Sequence, residues 1–346
     1  MKHLFTILLT LFSFYASGYA QKPFKVVFYN LENFFDLEND PDVLDDEFTP
    51  EGPKKWTKDK YDKKLSNIEK VFFDIAAINK DYPAVIGVCE IENRNVLEDI
   101  VATQKLSPAN YRIVHYDSPE LRGVDAAFMY RPDVLKLEGS KAIRTVIPSL
   151  PDFKTRDIVT MWGKIDQEDF FFMVAHWPSR LGGKEASALR RIAVGNQMRH
   201  IADSVRALRP STKVVMMGDF NDDPTDESIS GEKGIGAKIK VKEVTPADYY
   251  APFAALLKAG YGTLAYGDAW NIFDNIVVSG NLINEDKDQL KLKKTDNSKF
   301  YGHIFKRHYM VQKKGQFKGY PLRTYVGNNF QGGFSDHFPV YIYIGK

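Results

Sequence analysis

Short apolar runs alternate along this chain with longer segments in which apolar residues recur every three or four positions. The runs are rich in Val, Ile, Phe and Tyr and are bounded by turn residues, a pattern that predicts β-strands. We predict strands at residues 25–29, 84–89, 111–115, 126–130, 134–137, 157–165, 170–175, 214–218, 275–279 and 339–344.

The segments with three- and four-residue spacing predict amphipathic helices. In the first of them, this spacing places Ile68, Val71, Phe72, Ile75 and Ile78 on one face. We predict helices at residues 58–79, 96–104, 184–208 and 253–259, and a short helix after Pro224.

The segments between these elements carry two local signals. Asp223 followed by Pro224 is typical of an N-cap and the first position of a helix. The acidic, turn-rich segment 36–56 predicts a surface loop. Strands interleaved with several helices indicate an α/β sandwich in which helices cover two packed sheets, although the pattern does not determine which strands pair.

The N-terminal residues have the pattern of a secretory signal. Lys2 and His3 precede an apolar run at residues 4–15, and small and polar residues follow it up to Ala20. A membrane span takes about 20 apolar residues, so we predict cleavage after Ala20 and one mature domain at residues 21–346. A buried N-terminal helix and an uncleaved anchor are the alternatives. We expect an exported protein, periplasmic or secreted, with no membrane span after signal removal.

The composition is that of a folded protein, with 44% hydrophobic and 13% aromatic residues. The single cysteine, Cys89, excludes an intramolecular disulfide, and its apolar neighbours predict a buried, inert thiol. The net charge of +2 predicts no global attraction to polyanions. Residues 287–323 are nevertheless basic, with eleven Lys and Arg against two Asp and with Phe and Tyr interleaved.

Polar residues follow or precede the predicted apolar strands, where a rigid sheet directs side chains into one cleft. These residues are Asn30, Glu32, Glu90, His176, Asp219, Asn221, Asp274, Asp336 and His337. Carboxylate and amide oxygens without thiolates favour a hard ion such as Mg²⁺ or Mn²⁺. One such residue alone more often caps a turn, but coincidence is the weaker explanation for a set of this size.

These residue types suit hydrolysis of a phosphate ester. The reaction needs charge neutralised on the non-bridging oxygens, a positioned and deprotonated water, and a stabilised leaving oxygen. A metal ion with Asn and His donors meets the first need. A carboxylate such as Asp219 can orient the water, and a His–Asp pair can tune proton affinity.

The order of these residues resembles the endonuclease/exonuclease/phosphatase superfamily, which includes deoxyribonuclease I-like nucleases, abasic-site endonucleases, inositol polyphosphate 5-phosphatases and bacterial sphingomyelinases. The matching motifs are Asn30-Leu31-Glu32-Asn33, Glu90, His176-Trp177-Pro178-Ser179, Gly218-Asp219-Phe220-Asn221, Asp274 and Ser335-Asp336-His337. They extend over essentially the whole mature chain. The resemblance implies a four-layer α/β sandwich, of the deoxyribonuclease I-like type, with its cleft at one edge.

The resemblance also implies a role for each residue. Glu90 would be the principal metal ligand, with Asn30, Glu32 and Asp336 as the other members of the metal shell. The implied catalytic residues are Asp219 for the attacking water, Asn221 for the scissile phosphate, His337 for phosphate contact or proton transfer, Asp274 for orienting His337, and His176 for the transition state or leaving group.

Three further residues are candidates for contact with substrate phosphate. Ser179 and Arg180 continue the His176 motif into a Gly-rich turn, and Arg122 precedes a strand in a turn that resembles one near the family's cleft. The alternatives are a structural turn for the first two and a charge pair at a strand start for Arg122.

The basic, aromatic stretch favours a nuclease, because Lys and Arg neutralise backbone phosphates and aromatic rings stack on unpaired bases. The alternative for this stretch is a Lys-rich insertion whose aromatic residues serve the core. We therefore predict an endonuclease that acts on nucleic acid, and we expect a monomer. A phosphatase or phosphodiesterase for small esters, of inositol phosphate or phospholipid type, is the alternative enzyme. A non-catalytic binding module is the alternative from another class.

Overall fold

The structure is a computed structural model that describes residues 22–283, 288–295 and 297–346. The predicted signal at residues 1–20 lies outside the described residues. The strands, in chain order, are β1 (Phe24–Phe34), β2 (Val85–Ile91), β3 (Arg112–His115), β4 (Asp125–Tyr130), β5 (Lys136–Ile143), β6 (Ile158–Ile165), β7 (Glu168–His176), β8 (Lys213–Asp219), β9 (Tyr249–Tyr250), β10 (Leu264–Tyr266), β11 (Ala269–Asn271), β12 (Asp274–Ser279), β13 (Lys291–Lys293), β14 (Gly302–Ile304), β15 (Tyr325–Val326), β16 (Asn329–Phe330) and β17 (Val340–Gly345). The helices are α1 (Lys58–Ala77), α2 (Arg94–Ala102), α3 (Lys184–Leu208), α4 (Glu227–Ser230) and α5 (Ala254–Lys258).

Most of these strands form two mixed sheets. The first sheet has the order β13-β17-β1-β2-β4-β3, with β14 also paired to β17, and the second has the order β5-β6-β7-β8-β12-β9. In each sheet one internal pair is parallel, β1 with β2 and β7 with β8, while the other pairs are antiparallel. Two hairpins, β10–β11 and β15–β16, stand apart from the large sheets.

Alternation along the strands produces three apolar layers, because successive side chains point to opposite faces of a sheet. Val26 and Phe28 of β1 pack between the two sheets, together with Met217 of the second sheet. Val27 of β1 faces the other way, into a cluster that includes Phe72 of α1. A third cluster packs α3 against the outer face of the second sheet. The predicted four-layer α/β sandwich is therefore confirmed.

Each predicted strand overlaps an observed one, but the fifth was displaced. Residues 134–137 were predicted as a strand, whereas β5 begins at Lys136. The backbone N–H groups of Val134 and Leu135 both donate to the carbonyl of Arg131, which holds this segment in a turn.

The predicted N-cap at Asp223 was wrong. Helix α4 begins three residues after Pro224, with Asp226 at its N-cap. The Asp223 carboxylate instead accepts the backbone N–H of Ile272 at 2.7 Å. The local Asp-Pro signal was overridden by a contact with a distant segment.

The two strands β13 and β14 lie within the basic stretch and were missed. Each is three residues long, and each pairs with β17 at the edge of the first sheet.

Cys89 is fully buried, as predicted, and burial raises the pKa of its thiol well above the ordinary value. In the described ranges, no helix has the length and apolar character needed to cross a membrane.

His303 of β14 is expected to make the stability of the fold depend on pH. Its ring stacks on Tyr341 at a centroid distance of 4.9 Å, and burial lowers its pKa to about 4. An unfolded histidine has a pKa of about 6.5, so the unfolded chain binds the extra proton between these two values and stability falls as the pH falls. In His303→Phe, the loss of unfolding free energy between pH 7 and 4.5 should be smaller by about 1–2 kcal/mol, after allowance for solvent at this half-buried ring.

Urea unfolding at several pH values measures this difference. The control is His200→Asn on the exposed surface of α3, which should keep the parent's pH dependence. Parallel pH curves for His303→Phe and the parent would contradict the assignment.

Candidate active site

The polar strand ends of the first sheet meet at one edge of the sandwich. The parallel register aligns Asn30 of β1 with Cys89 of β2, so Glu90 follows immediately beside it. Strand β17 runs antiparallel to β1, and Val340 at its start lies opposite Phe28. The segment that precedes β17, which carries His337, therefore lies at the same edge.

The second sheet contributes side chains to this edge in the same way. His176 at the end of β7 is in register with Asp219 at the end of the parallel strand β8. Strand β12 is antiparallel to β8 and begins where β8 ends, with Asp274 opposite Asp219. The carboxyl ends of both parallel pairs thus open into one cleft.

Asp219 lies at the centre of the resulting group and is only 2% exposed. Its Oδ2 accepts an N–H of Asn30 at 3.0 Å, and its Oδ1 accepts the backbone N–H of Asn221 at 2.9 Å. The same Oδ2 is 3.6 Å from Nε2 of His176 and 3.7 Å from Nε2 of His337. The structure therefore brings four of the predicted site residues around one carboxylate.

Asn30 connects Asp219 to Glu90. Its amide N–H₂ also donates to Oε1 of Glu90 at 3.1 Å, while its oxygen accepts the backbone N–H of Glu32 at 2.9 Å. Because that backbone N–H requires an acceptor, the orientation of the amide is defined. Asn30 thus donates to two carboxylates in this arrangement, and its membership of the metal shell stays a prediction.

Three residues of the site have left-handed backbone conformations, with φ of 52° at Glu32, 58° at Glu90 and 51° at Asn221. Such conformations cost a non-glycine residue about 1–3 kcal/mol each and persist where the surroundings determine them. At Glu90 the turn coincides with a register shift of β2 against β4. The shift directs the Glu90 carboxylate toward Asn30, which is consistent with a functional edge.

His337 is held by Asp274. Its Nδ1 lies 2.7 Å from Oδ2 of Asp274, which is fully buried. Burial disfavours the imidazolium, but Asp274 and then Asp219 raise the pKa of His337 well above its ordinary value. These two carboxylates therefore favour the charged form of the ring, and the Asp274 contact directs Nε2 toward Asp219.

His176 has the opposite character. Burial, followed by the charges of Arg156 and Arg122, lowers its pKa well below the ordinary value. Its Nδ1 has no hydrogen-bond partner within the described part of the chain, and its Nε2 is 3.9 Å from Glu90. The two imidazoles that flank Asp219 therefore have pKa values shifted in opposite directions, which favours different roles for them.

A cavity of about 280 Å³ opens beside this group and is lined in part by Glu32 and Asp336. Oε2 of Glu32 accepts the backbone N–H of Thr324 at 2.6 Å and lies 3.9 Å from Nζ of Lys64. Asp336 pairs with Arg323 at 2.9 Å. Two of the predicted metal ligands therefore share a cavity with cationic side chains.

The predicted ligands do not form one compact cluster. Among the described residues, Glu90, His176 and Asp219 have ligand atoms within 4.8 Å of one another, and neither Glu32 nor Asp336 belongs to such a group. Whether the two carboxylates join Glu90 around one ion stays a prediction.

Arg122 faces the same cavity. Its Nε pairs with Glu120 at 3.0 Å, and its Nη1 donates to the side-chain oxygen of Asn33 at 3.3 Å. With its side chain 45% exposed, the guanidinium retains N–H groups for a ligand.

Arg180 is engaged within the protein. Its Nε donates to the carbonyl of Asn221 at 2.8 Å, and its Nη2 pairs with Asp222 and Asp226 at 3.2 and 3.0 Å. Ser179 uses its hydroxyl as an acceptor for the backbone N–H of Leu181 at 3.4 Å. Arg180 thus supports the Asn221 turn, and contact of Arg180 or Ser179 with a substrate phosphate stays a prediction.

Three cationic residues near the site were missed, namely Lys64, Arg156 and Arg323. Arg156 is 8% exposed and donates to the carbonyl of Trp177 at 3.1 Å. Lys64 follows Tyr61 by three positions and precedes Ile68 by four, so its place on the apolar face of α1 was readable from the spacing. The local sequence around Arg156 and Arg323 carries no comparable signal.

The carboxylates present fit a hard divalent cation. Burial raises the pKa of Glu32, and the nearby charge of Asp336 raises it further. Burial likewise raises the pKa of Asp219. A divalent cation next to these groups would offset both effects, and oxygen donors are the ligands that Mg²⁺ and Mn²⁺ prefer.

Residues 25–346 match the family model described as Endonuclease/Exonuclease/phosphatase family. The chain therefore belongs to this family, whose members are metal-dependent phosphoric ester hydrolases. No curated protein matches the chain.

Solved structures of several family proteins share the fold. They include D. rerio TDP2 complexed with a single-strand DNA product, at 13% identity with 94% of this chain and 100% of that chain covered and a TM-score of 0.54. A mannosyl-6-phosphatase of Bacteroides thetaiotaomicron is 16% identical over 93% and 100% of the two chains, with a TM-score of 0.55. The human Nocturnin catalytic domain is 15% identical over 93% and 94%, with a TM-score of 0.51.

Replacing Asp274 with Asn tests the His337 pair. The variant keeps the shape of the side chain but removes the charge that orients His337, so kcat should fall about 10²-fold or more with a smaller change in KM. In Asp274→Asn/His337→Asn, kcat should be no lower than in His337→Asn alone, because the two residues act as one unit. Additive losses would show that Asp274 acts independently of the imidazole.

Proposed function

We propose that this protein is an exported, Mg²⁺-dependent endonuclease that hydrolyses phosphodiester bonds in nucleic acid. The observation that carries the enzymatic part is the group around Asp219, in which Oδ2 of a buried carboxylate lies 3.6 and 3.7 Å from Nε2 of two imidazoles. The left-handed backbone at Glu32, Glu90 and Asn221 is of the kind that clusters at functional sites. Export rests on the sequence pattern of residues 1–20.

Glu90 would hold the metal ion, with Glu32 and Asp336 of the adjoining cavity as further carboxylate ligands. When bound, the ion supplies charge neutralisation at the phosphate oxygens and lowers the pKa of a coordinated water.

The water and the phosphate would be handled by the chain's own residues. Asp219 would accept the proton of the attacking water, since Asn30 and the backbone N–H of Asn221 hold its carboxylate in place. His337, kept charged by Asp274, would donate its Nε2–H to a non-bridging phosphate oxygen.

Asn221 and His176 would complete the contacts. One N–H of the Asn221 amide is occupied by the carbonyl of Trp177 at 3.0 Å, and the other can donate to the scissile phosphate. His176 is neutral, so its Nε2 can donate a hydrogen bond to the leaving oxygen without adding a second full charge.

Two observations favour nucleic acid as the substrate. Residues 287–323 are rich in Lys and Arg with aromatic residues between them, a combination that binds nucleic-acid strands. One similar structure is of TDP2 complexed with a single-strand DNA product.

A phosphatase for small esters is the second candidate. The cavity of about 280 Å³ next to the site is lined by Arg122 and Arg323, whose guanidinium groups could bind a small phosphorylated ligand. One similar structure is a mannosyl-6-phosphatase.

A parallel assay separates these candidates. The purified mature chain, residues 21–346, is offered plasmid DNA, single-stranded DNA, RNA, inositol phosphates and mannose 6-phosphate with Mg²⁺. We expect cleavage of nucleic acid that stops on chelation of the metal, with an Asp219→Asn preparation as the control for contaminating nucleases. Release of inorganic phosphate from the small esters alone would reject the nuclease. Mass spectrometry of protein recovered from the exported fraction tests cleavage after Ala20.

A further inference from the structure

A larger cavity, of about 610 Å³, lies away from the catalytic group. Its wall is apolar and aromatic and includes Tyr250, Phe300 and Tyr301. Its rim carries five exposed lysines: Lys240, Lys242, Lys258, Lys294 and Lys299. No Asp or Glu of the described ranges lines it. We call this cavity, with its rim, the lysine-rimmed cavity.

The positive charge at this cavity is largely uncompensated. Of the five lysines, only Lys240 pairs with a carboxylate among the residues that the structure describes, with Glu243 at 3.0 Å. A concavity with this many like charges concentrates a positive potential, although the whole chain has a net charge of only +2. The chemistry that complements it is a polyanion.

The lysines and the aromatic rings lie side by side. Nζ of Lys294 is 4.8 Å from the ring centroid of Tyr301, and Nζ of Lys299 is 5.4 Å from that of Phe300. Tyr250 contacts Tyr301 edge to face at 6.2 Å. Phosphates in register with the lysines would bring unpaired bases over the partly exposed rings of Phe300 and Tyr301, which is how single strands are bound without sequence preference.

The position of the lysine-rimmed cavity relates it to the catalytic group. Tyr250 lies opposite Val278 of β12, and Asp274 begins the same strand four residues earlier. At about 3.3 Å per residue, the two ends are roughly 13 Å apart along the strand. Thr225 in the cavity wall follows Asn221 by four residues. One strand of nucleic acid could therefore extend from the cleft to this cavity.

We propose that the lysine-rimmed cavity is an exosite for single-stranded nucleic acid, holding the strand on one side of the cleavage point. The biological use of this site rests on the proposed nuclease function, whereas the binding itself does not require hydrolysis. Duplex DNA is the poorer ligand, because its bases are paired and cannot stack on Phe300 and Tyr301.

Binding is measured with the mature chain in chelator, so that no hydrolysis occurs, by fluorescence anisotropy of a labelled single-stranded oligonucleotide at several salt concentrations. The triple variant Lys242→Gln/Lys258→Gln/Lys299→Gln should bind about 10-fold or more weakly. Its slope of log K against log salt should be smaller by about 2, since each lost phosphate contact on a single strand contributes about 0.7. The control triple, Lys63→Gln/Lys141→Gln/Lys233→Gln, removes the same charge from exposed positions outside the cavity and should bind like the parent.

A second variant tests the aromatic contribution. Phe300→Leu keeps an apolar side chain at the wall but removes the stacking surface, so affinity should fall about 5-fold or more with an unchanged salt slope. An equal loss of affinity in the two lysine triple variants would show that binding depends only on net charge, and would overturn the exosite. Binding to anionic phospholipid vesicles in place of the oligonucleotide would overturn it in favour of a membrane surface.

The outcomes separate this proposal from the proposed function. If no nucleic acid is hydrolysed with Mg²⁺ but single-strand binding depends on the cavity lysines, the exosite stands and the nuclease falls. If nucleic acid is hydrolysed and the cavity triple binds like the parent, the nuclease stands and the exosite falls. Hydrolysis of a small phosphodiester, bis(p-nitrophenyl) phosphate, should be equal in the parent and in both triples.

Discussion

Asp219→Asn is expected to lower kcat about 10³-fold, whichever phosphate ester proves to be the substrate. The amide has nearly the same shape but cannot accept a proton from water. It would also present an N–H₂ group toward either Asn30 or the backbone N–H of Asn221, both of which donate to the carboxylate. Steady-state kinetics on the best substrate of the panel measures the loss.

The control for this experiment is Asp169→Asn. Asp169 lies on β7 at the opposite end from His176 and pairs with Lys164 on the neighbouring strand. This variant removes the same charge from the same sheet and should keep kcat within about 2-fold of the parent, because surface ion pairs contribute little. A kcat for Asp219→Asn within 10-fold of the parent, in protein that unfolds like the parent, would reject Asp219 as the proton acceptor.

Lys64→Met is expected to destabilise the fold by about 3–5 kcal/mol. The Lys64 ammonium is fully buried, donates to the hydroxyl of Thr324 and to the carbonyl of Phe334, and lies 3.9 Å from the Glu32 carboxylate. Burial lowers the pKa of Lys64 and raises that of Glu32. The charge of each group opposes this shift in the other, so the two charged forms depend on each other. Met fills the space but leaves the carboxylate buried without its cation.

The double variant Lys64→Met/Glu32→Gln removes both charges and should recover part of the lost stability, since replacing a buried pair costs less than breaking it. Urea unfolding of the parent, both single variants and the double variant gives the coupling free energy. A loss below about 1 kcal/mol for Lys64→Met would show that water reaches this pair. Equal stability of Lys64→Met and the double variant would show that Lys64 stabilises the fold through its neutral acceptors, the Thr324 hydroxyl and the carbonyls of Phe334 and Glu32.

Most of the fold was predictable because its periodicity is local. The predicted bounds of α3 agree with the observed helix, Lys184–Leu208, and the long apolar strands were found at nearly their observed positions. Each of these elements buries one or two of its own faces, which is recorded in its own residues. The short edge strands β13 and β14 were missed because three residues are too few to carry a period, and their pairing with β17 determines them.

The candidate site was likewise predictable in part, and the rest of it depends on the tertiary structure. The sequence showed that polar residues follow the apolar strands. The motifs from Asn30 to His337 correctly indicated the endonuclease/exonuclease/phosphatase family, which residues 25–346 match. Only the parallel register of β1 with β2 and of β7 with β8 places those strand ends at one edge. The orientation of the Asn30 amide, the burial of Arg156 and the contact of Glu32 with Thr324 likewise depend on residues far away in the chain.

By itself, the sequence determined the long strands and the long helices, and which oxygen and imidazole groups are available for phosphoester chemistry. The tertiary structure decided which of those groups are in contact, in which direction the pKa of each imidazole is shifted, and which cationic side chains face a cavity. The physical reason is that side-chain periodicity depends on neighbours within a few residues, whereas desolvation and charge pairing depend on whatever the fold packs against a group.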